Sequence, residues 1–333
     1  MLSSIGKQFV RESLLGRRGL LKLNSLWFPL GLVFLAAGGP ATLRPLFRLA
    51  VLTAAALCWS LASTAANDLS EISEDRAAGK TRWMGMLPEG VARVIPVLFA
   101  SGGLAVLVAA GVPAGTLAAY LAAVITGAIY SLRPLRLKER GAWGLAAYAL
   151  SCSAANVLMP WTWYRGAFPM VPVLGAAVFL DKWVNLQFHQ IVDHREDSGQ
   201  GMATYAVRAG LEPARRSLRR FAAVASLALA VSAAYAASAV PEIAVPALVV
   251  TAGVIGLSGL HAVLSLRRPG LGTALSRELP WTYLGLTLGL FRAVPLVLFR
   301  EAALREPSLR PAFIVVAALL AADWVSSFRY RYE

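Results

Sequence analysis

Ten apolar runs constrain this chain more than anything else in it. They lie at about 24–39, 45–66, 91–111, 114–131, 142–163, 170–189, 219–239, 243–264, 279–299 and 311–328, each near the roughly 20 residues that carry a helix across a bilayer. Hydrocarbon offers no partner for a backbone N–H or C=O, so such runs must satisfy their hydrogen bonds internally, as helices. Composition agrees: 57% of the 333 residues are hydrophobic and 15% charged, too apolar a balance for a soluble domain. The sequence therefore reads as an all-α, polytopic membrane bundle of nine helices, or ten if 311–328 also spans. It divides into a basic N-terminal segment, 1–23, a single membrane domain, 24–328, and a short tail, 329–333.

The formal charge of +14 would suit a nucleic-acid partner, yet the loops account for it. With the N-terminus cytoplasmic, 24 of the 32 Lys and Arg residues fall in inside segments and six outside, while Lys182 and Arg292 lie within helices. That is the positive-inside bias. It places the N-terminus and the chemistry-bearing loops in the cytoplasm, with the protein embedded as a multi-pass component of the inner or cell membrane. Neither a nucleic acid nor an obligatory protein partner is needed to explain the charge. The basic leader followed by the apolar run to Ala37 resembles a secretory signal peptide, but the basic segment is long and removing the helix would upset the charge alternation, so it reads as a retained first helix. Cys58 and Cys152 sit in apolar spans and give neither a disulfide framework nor a metal-site spacing.

Outside connections are short, with Gly111, Pro113 and Pro241 supplying the turns, which leaves the chemistry to the inside loops at about 67–90, 131–141, 190–218 and 265–278. The first begins Asn67-Asp68-Leu-Ser-Glu71-Ile-Ser-Glu74-Asp75. If the helix continues, Asn67, Glu71 and Asp75 drift only about 40° per step and share one face. A ridge of oxygen ligands at a membrane boundary suits a hard cation such as Mg²⁺; the plain alternative is a solvated acidic loop. The third loop repeats the spacing with His189, Asp193 and Asp197, again at the end of an apolar helix. Two such ridges on one membrane side could hold two Mg²⁺ ions around a diphosphate, whose charge is costly to bring to a membrane boundary. Between them the loop Tyr130-Ser131-Leu-Arg133-Pro134-Leu-Arg136-Leu-Lys138 offers hydroxyls and cations, either as an anion-binding surface or as an ordinary basic inside loop.

These three segments resemble the UbiA superfamily of intramembrane prenyltransferases, which is marked by an NDxxDxxxD motif after the second helix, a YSxxPxRxK segment after the fourth and a DxxxD motif after the sixth. All three appear here in order, and the resemblance covers about 20–300. It implies nine helices around a central cavity, Mg²⁺ as cofactor and a prenyl diphosphate as donor, in contact with the lipid bilayer. Asn67, Asp68, Glu71, Asp75, Asp193 and Asp197 would then bind metal, and Lys80, Arg82, Tyr130, Ser131, Arg133 and Lys138 would contact the diphosphate. Glu71 departs from the family's Asp but keeps the charge, and the segment from Trp83 to Gly90 departs altogether.

The implied reaction is Mg²⁺-dependent transfer of the prenyl group to a lipophilic, aromatic acceptor with release of diphosphate. Asp75, Asp193, Asp197 and His189 are the catalytic candidates, with His189 open as ligand, diphosphate contact or base. Polar residues inside membrane helices are expensive and usually functional or paired, so Asp181 and Asn185, four apart, are candidates for orienting the acceptor. Trp59, Phe99, Trp143 and Trp163 are among the aromatic side chains available to shield an allylic cation, or simply to pack. A membrane terpene cyclase using the prenyl diphosphate alone is the alternative within the same fold. A transporter is the alternative outside it, disfavoured because the charged motifs cluster at helix ends on one side rather than at the bilayer midplane.

Overall fold

The computed structural model describes residues 2–10, 26, 44–77, 79, 82–164, 171–239, 246, 249, 252–254, 256, 279–311, 313–318 and 320–321, and every regular element among them is helical. A short amphipathic helix, α1 (Leu2–Phe9), precedes the long α2 (Arg44–Ser70) and a six-residue α3 (Ile72–Ala77). Then come α4 (Glu89–Ala109), α5 (Ala114–Ser131), α6 (Ala142–Trp163, with a π-turn at Ala154–Leu158), α7 (Val171–Val192), α8 (His194–Gly199), α9 (Tyr205–Ala209) and α10 (Leu211–Ala239). Two further helices, α11 (Trp281–Leu288) and α12 (Val294–Arg305), are joined by a π-turn at Gly289–Ala293.

Among the described residues six helices are long and apolar enough to cross a membrane: Leu46–Ser70, Glu89–Ala109, Ala114–Ser131, Ala142–Trp163, Leu211–Tyr235 and Thr282–Arg305. They match six of the ten apolar runs. The runs at 24–39 and 243–264 lie almost wholly outside the described residues, and 311–328 partly so. The run at 170–189 forms α7, which is 22 residues long but carries Asp181, Lys182, Asn185, Gln187 and His189 and so falls short in apolarity. Its position explains the composition: α7 packs against α6 and α10, with Asp181, Lys182, Gln187 and Gln190 all buried. Polar groups are tolerated because protein, not lipid, surrounds them. The outer helices show the converse. On α4, Val91, Val94, Val97 and Leu98 are exposed, as are Leu121 and Ile125 on α5 and Val224 and Leu227 on α10. Such apolar stripes would be a liability in water and are the normal surface of a membrane protein.

Small residues set the closest helix approaches, as expected where van der Waals contact rather than hydrophobic expulsion holds membrane helices together. A Cβ on Gly103 would fall 2.7 Å from Cζ of Tyr120 and 2.9 Å from Cβ of Cys58, so α2, α4 and α5 meet there. Tyr120 donates its hydroxyl to the Ala100 carbonyl at 2.8 Å. On the other side of α5, Trp59 donates its indole N–H to Ser151 Oγ (3.0 Å) and the Ala123 carbonyl (3.2 Å), and Ser151 donates to the same carbonyl at 2.6 Å. Trp59 is thus a fully buried pin between α2, α5 and α6.

Candidate active site

Neither acidic ridge lies on one uninterrupted helix. α2 ends at Ser70, Glu71 forms a turn, and Asp75 belongs to α3; likewise α7 ends at Val192, Asp193 is a bend, and Asp197 belongs to α8. Each ridge is broken at its middle member. The i→i−4 hydrogen bonds nevertheless pass through both breaks: Asp75 N–H to Glu71 O at 2.7 Å, Asp193 N–H to His189 O at 2.9 Å, and Asp197 N–H to Asp193 O at 2.8 Å. Neither Pro nor Gly marks either kink, the usual causes. At the first, side chains occupy the gap: Asn67 Nδ2 donates to Glu71 Oε2 (2.8 Å) and Ser70 Oγ to the Asn67 carbonyl (2.8 Å).

The loop after α5 reaches across to this first ridge. Ser131 Oγ donates to Asn67 Oδ1 at 3.5 Å, and Lys138 Nζ lies 2.9 Å from Glu71 Oε1, 2.8 Å from Ser70 Oγ and 3.4 Å from Asn67 Oδ1. Arg136 has a left-handed backbone (φ 38°, ψ 57°), uncommon for a residue with a Cβ. The chain turns there into the 3₁₀ turn Leu137–Glu139. Arg136 points to Glu74 Oε1 (2.8 Å) while Lys138 points to Glu71. Gly144, in the first turn of α6, supports the same turn from behind, since a Cβ there would lie 2.7 Å from the Leu137 carbonyl oxygen and 2.9 Å from the Lys138 Cα.

Arg82 takes the other carboxylates. Its Nε donates to Asp75, and its Nη1 lies 3.7 Å from Oδ1 of the buried Asp68. Burial works against its charge, and the bond to Asp75 with the nearby Asp68 and Glu71 more than compensates, leaving its pKa raised. Lys138 shows the opposite balance: burial outweighs the attraction of Glu71 and lowers its pKa. Burial would also raise Glu74, but the hydrogen bond and charge of Arg136 bring it down to about 2.

In the second ridge, burial raises Asp197 to about 6, aided by the charges of Asp193, Glu196 and Glu71 and opposed by a hydrogen bond from Thr204 Oγ1 (3.1 Å). Glu71 belongs to the first ridge, so the fold brings the two within electrostatic reach. His189 and Asn185 are exposed on the same strip of α7. Asp181, one turn deeper than Asn185, is instead buried: Tyr283 of α11 donates to its Oδ1 at 2.8 Å, and Lys182 Nζ lies 3.2 Å from its Oδ2. Tyr130 sits against Tyr148, ring centroids 5.9 Å apart. Arg133 stands apart from the ridges, exposed on a separate cavity. Trp143 is 71% exposed, and Lys80 lies outside the described residues. Thr204, Tyr283, Ser70 and Glu74 were not singled out in the sequence; Tyr283 sits 102 positions from its partner Asp181.

Among the described residues no three of His, Cys, Asp and Glu converge on a ready-made metal cluster. The donor set still suits Mg²⁺, which takes one or two carboxylates and completes its shell with waters and substrate phosphates. The repulsion from Asp193, Glu196 and Glu71 that adds to the effect of burial on Asp197 is what a bound cation would relieve.

The fold and site define a helical bundle with apolar spans in which a basic loop packs on the first of two acidic segments. Residues 25–277 match the model of the UbiA prenyltransferase family. The chain belongs to that family, and with it to the integral membrane enzymes of prenyl transfer. Among solved structures it is similar to a UbiA homolog from Archaeoglobus fulgidus bound to DMAPP and Mg²⁺ (16% identity over 92% of this chain and 98% of that one, TM-score 0.55). It is also similar to the same homolog bound to GPP and Mg²⁺ (16% identity, 92% and 98% coverage, TM-score 0.53) and to a digeranylgeranylglyceryl phosphate synthase (13% identity, 94% and 99%, TM-score 0.50). A search of curated protein sequences finds no match.

Proposed function

We propose that this chain transfers a prenyl group from a prenyl diphosphate to a lipophilic, aromatic acceptor, with the site on the cytoplasmic face of the cell membrane. The observation that supports the reading is the basic loop packed onto the first acidic segment, with Lys138 Nζ 2.9 Å from Glu71 Oε1 and Arg136 Nη2 2.8 Å from Glu74 Oε1. Asn67, Glu71 and Asp75 would hold one Mg²⁺, and Asp193 and Asp197 a second; the structures of the A. fulgidus homolog bound to DMAPP or GPP with Mg²⁺ support Mg²⁺ as the metal. When bound, the metal neutralises diphosphate charge.

The chain's own cations are already in place for the leaving group. Lys138 and Arg82 are held by Glu71, Asp75 and Asp68, so they need no reorganisation as charge develops on the diphosphate. The allylic C–O bond breaks with its electron pair passing to the diphosphate oxygen. An aromatic carbon of the acceptor then bonds to the allylic carbon, and the ring proton leaves to a base. His189 is exposed one turn before Asp193 and is within the ridge's reach for that role. Tyr130 and Ser131 close the diphosphate side, and Asn185 lies on the acceptor path along α7.

The test is a panel of prenyl diphosphates and aromatic acceptors incubated with purified protein and Mg²⁺, with products read by mass spectrometry. Prenylated acceptor is expected, and Asp75→Ala and Asp193→Ala should abolish it while still folding. Full activity in either variant overturns the site; hydrocarbon formed from donor alone overturns transfer in favour of cyclisation.

A further inference from the structure

The loop that serves the acidic ridges has a second, outward side. Between Ser131, where α5 ends, and Ala142, where α6 begins, the chain walls a cavity of about 700 Å³ together with the segment around α9. None of the ridge residues lines it, and neither Ser131 nor Lys138 does. Its lining is dominated by Arg133, Arg136, Arg140 and Arg208, with Trp143 and Leu135. The one carboxylate, Glu139, lies 3.0 Å from Arg136 Nε, and Arg136 also pairs with Glu74. Arg140 and Arg208 donate to the carbonyls of Pro134 (3.4 Å) and Ala203 (3.1 Å), which orients the side chains and leaves their charge uncompensated among the described residues. Arg133, Arg140 and Arg208 are exposed.

Three uncompensated guanidinium groups around one concavity select an anion, and the planar fork of arginine matches phosphate oxygens two at a time. The setting adds a second requirement. The cavity opens at the ends of two membrane helices, and its apolar members are outward: Trp143 is 71% exposed and Leu135 42% exposed. Tryptophan at the boundary of a spanning helix belongs at headgroup level, and basic pockets between membrane helices are the usual seat of anionic headgroups. From this we infer that the cavity binds a phosphate group carried by an anionic lipid, separately from the donor diphosphate at the ridges. The inference does not depend on the prenyl-transfer reading, because no ridge residue takes part.

Native mass spectrometry of the full chain in detergent tests it, titrating phosphatidylglycerol or phosphatidylcholine with the same acyl chains, with and without inorganic phosphate as competitor. One phosphatidylglycerol should bind saturably and at least tenfold more tightly than phosphatidylcholine. An arginine near a headgroup is worth about fivefold in affinity, so the double variant R140Q/R208Q should bind about 30-fold more weakly, with R140K/R208K, which keeps the charge but loses the fork, in between. R219Q/R220Q, which removes the same charge from an exposed stretch of α10, should bind like the parent. Displacement by equimolar inorganic phosphate would assign the site to a free phosphate anion instead of a lipid. Equal weakening in R140Q/R208Q and R219Q/R220Q, or no weakening in either, overturns the inference, as does equal binding of the two lipids.

Discussion

Gly144→Ala probes whether the position of Lys138 is set by the backbone packed behind it. The added methyl would sit 2.7 Å from the Leu137 carbonyl oxygen, 3.2 Å from its carbon and 2.9 Å from the Lys138 Cα. All three are backbone atoms and cannot swing aside as a side chain can. Relief to an ordinary contact of about 3.5 Å needs the turn or the helix to move by about 0.6–0.8 Å. Lys138 Nζ holds Ser70 at 2.8 Å and Glu71 at 2.9 Å, so a shift of that size carries both bonds beyond effective range. Overpacking of this kind costs about 1–3 kcal/mol in stability, and a misplacement approaching 1 Å costs up to about 100-fold in turnover. Steady-state kinetics with the prenyl diphosphate varied, together with the detergent melting temperature, give both readings. The control is Gly175→Ala on α7, where a Cβ meets nothing within 4 Å; it should leave activity unchanged and gain up to about 1 kcal/mol from helix propensity. Parental activity and melting in Gly144→Ala would show that the turn is not held from behind, and the account of how Lys138 is placed would fail.

Gly103→Ala should destabilise by about 2–3 kcal/mol, since its Cβ would meet Tyr120 and Cys58, with Tyr120→Phe recovering part of the loss in thermal melts of the double variant. Trp59→Phe removes the donor to Ser151 and Ala123 and should lower stability by about 1–3 kcal/mol without altering the KM for the donor; a selective rise in KM would place Trp59 in the substrate path instead. A double-mutant cycle on Glu74→Gln and Arg136→Gln should return a coupling of about 1–3 kcal/mol, because both sit largely out of solvent at 2.8 Å, and a value near zero would remove the pair as an anchor of the loop. Chelation with EDTA should stop product formation, and added Mg²⁺ should restore it; undiminished turnover in EDTA would rule out a metal at the ridges.

The membrane bundle was readable because a run of about 20 apolar residues has one structural outcome in lipid, and the pairing of Asn67 with Glu71 was readable because helical period sets residues four apart side by side. The breaks at Glu71 and Asp193 were not, since neither carries a Pro or Gly; at the first, Ser70 Oγ takes the Asn67 carbonyl instead of the helix ladder. The basic loop was visible as charge but not as direction. Lys138 turns inward and Arg133 and Arg140 outward, in a segment where Arg136 adopts a positive φ and no regular period assigns faces. Asp181 stood out as an expensive residue, yet its partner Tyr283 is 102 positions away, and nothing local links them.

The two kinks also have a mechanical meaning. α2 is 27 residues long and packed among its neighbours, whereas the hexapeptide α3 that carries Asp75 lies beyond the break at Glu71, held through side chains by Arg82 and Arg136, and α8 lies likewise beyond Asp193, with Thr204 on Asp197. Terminal residues of this kind absorb backbone rotation without disturbing the element they leave. At the proposed site, tightening around a donor would then be an adjustment of six residues on each side. It would leave the spanning helices where they are, and turnover would be insensitive to the thickness of the bilayer around them.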